Sequence, residues 1–220
     1  KLSLWGGINF AISEMVLSEK GSKGQRPVFS MKDAKLAVPL NSIFGGRPAI
    51  TLVVQRPEIN VVSDLTGKLN VMNLMKPTTA PTSSTGKGAG AAAALTFDLD
   101  INLSNGHLVY ADLKKKTKTD LTGLDVEILK FGINQPFDFN FKTNLNAQEM
   151  KDLVLKGPVT LKGQAGLYIN AEGLERIDLS ASSGLDGLVV KYGSLFNKTE
   201  GVPLRVDANI SSTDKNLKIT

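Results

Sequence analysis

Apolar and polar residues alternate along much of the chain, most regularly in three stretches. In residues 95–103 every odd position is apolar and every even position is Thr, Asp or Asn. The same alternation recurs at residues 137–145, where Thr143 is the one polar residue on the apolar side, and at residues 202–210. A period of two is that of a β-strand with one buried face. The pattern therefore predicts a mostly β protein.

Shorter alternating runs precede these stretches, at residues 8–12, 34–38 and 50–54. Pro57 follows the last of them and predicts an edge or a break, because proline cannot donate a ladder hydrogen bond. The N-terminal part of the chain is therefore also predicted to be β.

Helix is predicted at only two places. Residues 40–44 form a short helical turn ended by two glycines, and residues 146–153 begin with an asparagine and a glutamate at the spacing of an N-cap and its N3 acid. Between the main strands, Asn105-Gly106 predicts a tight turn, which would fold residues 107–112 back as a hairpin.

Residues 77–94, PTTAPTSSTGKGAGAAAA, mark the clearest boundary in the chain. Such a composition cannot bury enough apolar surface to offset the entropy of ordering it, so we predict a flexible loop. The loop separates an N-terminal β segment, residues 1–76, from a second β segment, residues 95–220. We expect the two segments to form one continuous sheet.

The three clearest strands contribute thirteen large apolar side chains to one set of faces. Burying one such side chain contributes about 1.5–3 kcal/mol, so leaving all of them in water would forfeit on the order of 20–40 kcal/mol. Something must cover them. The predicted face consists of Leu95, Phe97, Leu99, Ile101, Leu103, Phe137, Phe139, Phe141, Leu145, Val202, Leu204, Val206 and Ile210.

Two ways of burying this apolar face are compatible with the alternation. The first is protein, meaning a second sheet or the same sheet closed on itself, as in a β-sandwich or barrel. The second is an open, curved sheet whose concave face holds acyl chains or meets the same face of another module, since apolar grooves are recognised ligand sites.

The charge balance argues against nucleic acid as a partner. Lys and Arg number 26 against 21 Asp and Glu, a formal net charge of +5, which is modest unless it gathers on one surface. The one basic run, residues 114–116 with Lys118, is typical of a solvated turn, and contact with anionic lipid headgroups is the alternative. The chain has no cysteine, hence no disulfide or thiolate metal site.

Catalytic patterns are missing from the sequence. The single histidine, His107, is expected to be a strand residue beside a turn, and it leaves no histidine-rich zinc site. Asp98 and Asp100 share the polar face of one strand and are expected to serve solubility, because nothing nearby would desolvate them. The glycine-rich residues 86–90 lack the spacing of a phosphate-binding loop. We therefore predict a protein that is not an enzyme and has no metal or cofactor.

Four segments resemble the AsmA-like family of bacterial envelope proteins. The first is residues 27–54, a predicted strand, a helical turn that begins with Pro-Leu, and a second strand. Residues 56–71, RPEINVVSDLTGKLNV, are similar to a family pattern in which a strand of the form P-x-I-x-L-x-x-D leads into G-x-x-N. Residues 184–204 resemble the C-terminal part of AsmA-like proteins, and residues 105–112, NGHLVYAD, agree with both. The shared order of these segments carries the resemblance.

The resemblance implies a periplasmic protein anchored to the inner membrane, with the anchor helix expected outside this segment. It also implies a fold similar to the chorein and bridge-like lipid-transfer proteins: a twisted antiparallel sheet that forms an open, hydrophobic groove, with one or two short helices. The thirteen apolar residues would line that groove. The implied partners are phospholipids and either envelope proteins or further modules of the same parent chain.

The leading hypothesis is therefore a groove that binds or conducts phospholipid acyl chains between the inner and outer membranes and so supports outer-membrane integrity. The alternative is a non-catalytic interaction module that assists outer-membrane protein biogenesis, with strand addition at a sheet edge as its mechanism.

Overall fold

The computed structural model describes residues 2–3, 7–18, 27–73, 97–150, 152–170, 173–213 and 216–219. Their strands form one large mixed sheet, with the first and last strands at opposite ends of the strand order. The predicted mostly β fold with an open sheet is confirmed, and the closed sandwich or barrel is wrong for these residues. The strands are β1 Leu2–Ser3, β2 Gly7–Leu17, β3 Phe29–Pro39, β4 Ala49–Gln55, β5 Glu58–Ser63, β6 Asp98–Asp112, β7 Thr117–Phe131, β8 Pro136–Met150, β9 Leu153–Asn170, β10 Gly173–Gly184, β11 Val189–Tyr192, β12 Phe196–Lys198, β13 Arg205–Thr213 and β14 Asn216–Ile219.

The strands follow the order β1-β2-β3-β4-β6-β7-β8-β9-β10-β13-β14. Strand β5 pairs with β3 and β6, whereas β11 pairs with β9 and carries β12 on its other side. Neighbours run antiparallel except at β6, to which both β4 and β5 are parallel. A parallel neighbour requires a long connection, and the chain between β5 and β6 contains the predicted loop 77–94, which lies outside the described residues.

The Asn105-Gly106 pair forms a bulge instead of the predicted hairpin turn. Strand β6 continues through it, the register with β7 shifts there, and Asn105 has a φ of 53°. The Asn105 amide donates to Oδ1 of Asp125 on β7 at 2.8 Å. Both a bulge and a tight turn require a left-handed backbone conformation, and asparagine and glycine tolerate it in either. Neighbouring strands on both sides keep the chain extended.

The predicted break at Pro57 lies beside this bulge. Strand β4 ends at Gln55 and β5 begins at Glu58, so the two strands form one interrupted line along β6. The Arg56 amide donates to the Ser104 carbonyl at 2.9 Å, and the His107 amide donates to the Pro57 carbonyl at 2.8 Å. The break between β4 and β5 therefore lies directly beside the bulge in β6, and backbone hydrogen bonds join the two.

Of the two predicted helices, one is confirmed. Helix α1 spans Leu40–Phe44 and ends where the Gly45 amide donates to the Asn41 carbonyl at 3.1 Å. The helix predicted at residues 146–153 is wrong, because β8 runs through Met150 and β9 begins at Leu153. Pairs such as Ala147 with Leu155 continue the ladder almost to the turn. This long-range pairing outweighs a local cap, which contributes about 1 kcal/mol.

Few apolar side chains are fully buried among the described residues. A fold with two packed layers would bury the whole inner face of the sheet. Here most apolar strand residues are only partly covered, by neighbours within the same sheet. The buried apolar residues are Val28, Met31, Ala34, Pro57, Val109, Leu124, Ala147 and Leu188.

Candidate functional site

The strand register brings apolar residues from nine strands into continuous rows. Residues directly opposite each other on paired strands have side chains on the same face of the sheet. At about 4.8 Å between strands, a row that crosses nine of them is about 38 Å long. The first row is Phe10, Leu36, Leu52, Ile101, Ile128, Phe139, Gly163, Ala181 and Ala208. The second row is Ile12, Ala34, Val54, Leu103, Val126, Phe141, Leu161, Ser183 and Val206.

The large side chains of these two rows are not buried. Those in the middle strands are partly exposed. Towards the two ends the exposed fraction rises to 52% for Phe10, 48% for Ile12 and 47% for Val206. Within the described residues, then, no second layer covers this apolar face.

The opposite face of the sheet is mostly polar. Between the two apolar rows, the register aligns a row of mainly charged and amide side chains that point the other way. That row is Lys35, Val53, Asn102, Glu127, Asn140, Lys162, Ser182 and Asp207. The sheet is therefore amphipathic, and water is a suitable neighbour for only one of its faces.

Nine of the thirteen predicted residues share the apolar face. The pairing of neighbouring strands places all nine on the same face of the sheet. Phe97 immediately precedes β6, whereas Val202 and Leu204 precede β13, and Leu95 lies outside the described residues. The nine are Leu99, Ile101, Leu103, Phe137, Phe139, Phe141, Leu145, Val206 and Ile210.

Other members of the apolar face were missed by the sequence prediction. The alternating runs at residues 8–12, 34–38 and 50–54 were a signal that could have added β2, β3 and β4 to it. In β7, residues 124–128 also alternate and could have added Ile128. A register irregularity near Gly123, whose φ is 58°, separates this run from the apolar positions that precede it.

The apolar face contains a strip of small residues beside Phe139. Gly163, Ala181 and Ala208 follow it across three adjacent strands. A Cβ atom at Gly163 would lie only 1.9 Å from the carbonyl oxygen of Ser180, so no larger residue fits there without movement of β10. The strip is a recess between rows of larger side chains, and we call Gly163, Ala181 and Ala208 the small-residue strip.

Several carboxylates of the described residues pair with basic side chains. The Arg47 guanidinium contacts Oδ1 of Asp98 at 2.7 Å, and this hydrogen bond lowers the pKa of Asp98. The carboxylate of Asp120 lies 2.6 Å from Nε2 of His107. Burial acts to raise the pKa of Asp120, but hydrogen bonds from His107 and Lys118 outweigh it and lower the pKa. These contacts are typical of structural ion pairs.

Within the described ranges, no three His, Asp or Glu side chains come close enough together to hold a metal ion. The helices of the same residues include none that is both long and apolar enough to cross a membrane. The apolar face is thus the feature of this structure with the clearest chemical consequence.

Comparison with known proteins adds no assignment. No protein-family model matches the chain, and no curated protein matches it. The resemblance to AsmA-like proteins stays a prediction from the sequence, and the function has to be argued from the apolar face.

Proposed function

We propose that this protein binds the acyl chains of phospholipids on the apolar face of its sheet. The observation that carries the proposal is the pair of apolar rows that cross nine strands without a covering layer. Exposed apolar patches larger than a few hundred Å² mark interaction sites in soluble proteins. Covering about 300 Å² of such surface would contribute about 7 kcal/mol before the costs of binding.

The dimensions of the face suit an acyl chain. A row of about 38 Å is more than twice the depth of one leaflet, which is half of a hydrocarbon core of about 30 Å. Ser183 is the one polar side chain in the two rows, and its hydroxyl donates to the Thr160 carbonyl at 2.8 Å. A lipid tail on this face would therefore meet no unpaired polar group from these rows.

The small-residue strip forms a recess in which an acyl chain can bind. Gly163, Ala181 and Ala208 leave room above the backbone, while Phe139 and the larger residues of the second row stand beside them. A methylene chain in such a recess contacts side chains on both flanks, and this increases its van der Waals contacts.

The wider role follows from the resemblance to AsmA-like proteins. We propose a periplasmic, non-catalytic module that carries or conducts phospholipids between the inner and outer membranes, attached to the inner membrane through a helix outside this segment. A protein partner on the same face, either an envelope protein or another module, is the competing occupant.

Two measurements test the proposal. The first is native mass spectrometry of the purified chain, which we expect to detect bound phospholipid. The second is binding of a fluorescent phospholipid to Ala181→Phe, which fills the small-residue strip and should weaken binding at least about tenfold, or 1.4 kcal/mol.

Ser180→Phe is the matched control, because Ser180 is the preceding residue on the same strand and points to the polar face. It should leave lipid binding unchanged. A chain that carries no lipid and associates with itself, with Ala181→Phe reducing the association, would instead support the interaction module.

A further inference from the structure

Three turns lie together at one end of the sheet. They are residues 64–68 after β5, residues 113–116 between β6 and β7, and residues 193–195 between β11 and β12. Ser63 pairs with Asp112, which brings the first two turns side by side. The Gly193 amide donates to the Asp152 carbonyl at 2.8 Å, beside the adjacent turn from β8 to β9. We call these three turns, the last together with the strand residues on either side of it, the lysine end; it comprises residues 64–68, 113–116 and 192–196.

The turns of the lysine end expose large apolar side chains. The exposed fractions are 71% for Leu65, 49% for Leu113, 82% for Leu195 and 54% for Phe196. One exposed leucine is ordinary on a protein surface. A leucine in each of three turns at the same end, in positions that usually carry polar residues, requires a different explanation.

Lysines flank the first two of these turns, which carry Leu65 and Leu113, whereas residues 192–196 contain none. Residues 64–68, 113–116 and 193–195 together contain four lysines, Lys68, Lys114, Lys115 and Lys116, and one acid, Asp64. The Asp64 carboxylate already accepts hydrogen bonds from the Thr66 amide and hydroxyl and from the Lys68 amide. Asp112 precedes the β6–β7 turn, and its carboxylate lies 3.7 Å from Nζ of Lys115. Beside Leu65 and Leu113 there are therefore four lysines and two acids.

The turns are spaced too widely for one small pocket. Between the β6–β7 turn and the β11–β12 turn lie four strand spacings, or about 19 Å. Each leucine stands at a separate turn. Apolar side chains that are far apart, with lysines among them, suit a partner surface that is negatively charged outside and apolar beneath. Such a partner can receive each apolar side chain separately, so the protein needs no pocket.

We propose that the lysine end docks on the surface of an anionic lipid bilayer. The leucines enter the interface between headgroups and acyl chains, and the lysines lie over the negative headgroups. Each lysine near such a surface contributes about 1 kcal/mol. This docking does not depend on the acyl-chain site, which lies on the apolar face of the strands.

Sedimentation of the full chain with vesicles tests the proposal. Vesicles of phosphatidylcholine with phosphatidylglycerol should bind the chain, and vesicles of phosphatidylcholine alone should bind it far more weakly. The triple variant Lys114→Gln, Lys115→Gln, Lys116→Gln should lower the partition coefficient on the order of 100-fold at low salt. The double variant Leu65→Ser, Leu195→Ser should lower it at least about tenfold.

Matched controls lie elsewhere on the sheet. Lys142→Gln, Lys156→Gln, Lys162→Gln removes the same charge from exposed positions on the polar face. Phe44→Ser removes an apolar side chain that is 84% exposed, next to the glycines that follow α1. Both controls should bind anionic vesicles as the unmodified chain does.

Several results would overturn the proposal. Equal binding to neutral vesicles, or equal losses in the control variants, would remove the specific role of the lysine end. A loss in the lysine variant with none in the leucine variant would mean that the contact is electrostatic alone and would refute insertion of the leucines.

The two proposals fail separately. Ala181→Phe should leave vesicle binding unchanged, and the lysine variant should leave binding of the fluorescent phospholipid unchanged. A chain that sediments with vesicles yet binds no single lipid would refute only the acyl-chain site.

Discussion

Phe139 lies directly opposite Gly163 on β9, so on that side no side chain stands across from its ring. The absence of a side chain at Gly163 has a steric cause, because a Cβ atom there would come within 1.9 Å of the Ser180 carbonyl oxygen and 2.8 Å of the Ala181 Cα. Both obstacles are backbone atoms of β10, which cannot move without disturbing the ladder.

Gly163→Ala should therefore destabilise the protein by about 1–3 kcal/mol, the usual cost of overpacking. Chemical denaturation would measure the change in the free energy of unfolding. Gly184→Ala is the control, because a Cβ atom there would meet only the Thr160 hydroxyl oxygen at 3.3 Å. Equal stabilities of the two variants would contradict the steric account.

Lys198 is buried, and its ammonium group donates to backbone carbonyls. Nζ lies 2.7 Å from the Leu188 oxygen and 3.1 Å from the Asp186 oxygen. Lys198→Met would remove this donor from the Leu188 carbonyl, whereas the Asp186 carbonyl would keep the Gly201 amide at 2.9 Å, and it should cost about 1–3 kcal/mol. Hydrogen exchange should become faster in β11 and β12, whereas Lys191→Met, at an exposed position, should change it little. Unchanged exchange in Lys198→Met would refute this role.

The bulge at Asn105 depends on a left-handed backbone conformation. A β-branched residue is strained at a φ of 53°, and the left-handed region costs about 1–2 kcal/mol for residues other than glycine and asparagine. Asn105→Val should be destabilised by about that amount in a thermal unfolding experiment. Asn105→Gly should be much less affected, and a Val variant as stable as the Gly variant would argue against the bulge.

Asp120 should make stability depend on pH in the acid range. Its pKa is lowered from 3.8, so the unfolded chain binds a proton at higher pH than the folded chain does. The contribution is fully present above the unfolded pKa and is lost as the pH falls through the folded pKa. The stability difference between the unmodified chain and Asp120→Asn should shrink below about pH 4.

NMR titration would check the cause of this shift. His107→Gln removes one hydrogen-bond partner of the Asp120 carboxylate and should raise its pKa towards the usual value. An Asp120 that titrates at its usual value in the unmodified chain would contradict the prediction.

Lipid binding should depend on acyl-chain length. Each added methylene buried on the apolar face contributes up to about 0.8 kcal/mol, so a chain longer by two methylenes should bind about tenfold more tightly. Competition between fatty acids of increasing length and a fluorescent phospholipid would measure this dependence. An affinity independent of length would indicate that the headgroup is recognised instead.

The main strands of the second half and helix α1 could be predicted from the sequence. Residues 95–103 and 137–145 repeat with a period of two, so their faces follow from the backbone of a strand alone. Nine of the predicted residues accordingly share one face. Local signals were sufficient here because the period of a strand does not depend on its partner.

Local signals failed where distant residues decide the outcome. Asn105-Gly106 suits a turn and a bulge equally well, and the choice depends on its neighbours across the sheet. A Cβ atom at Gly106 would lie 3.1 Å from the Pro57 side chain and 3.3 Å from that of Leu124. The cap signal at Asn146 likewise yields to the pairing of β8 with β9.

The alternation along the chain was enough to predict a mostly β protein whose strands have one apolar face. The folded structure was needed to show that the sheet is open, that nine strands align this face, and that three distant turns form the lysine end. The physical reason is that alternation is a property of a single strand, whereas register and strand order depend on contacts between residues far apart in the chain.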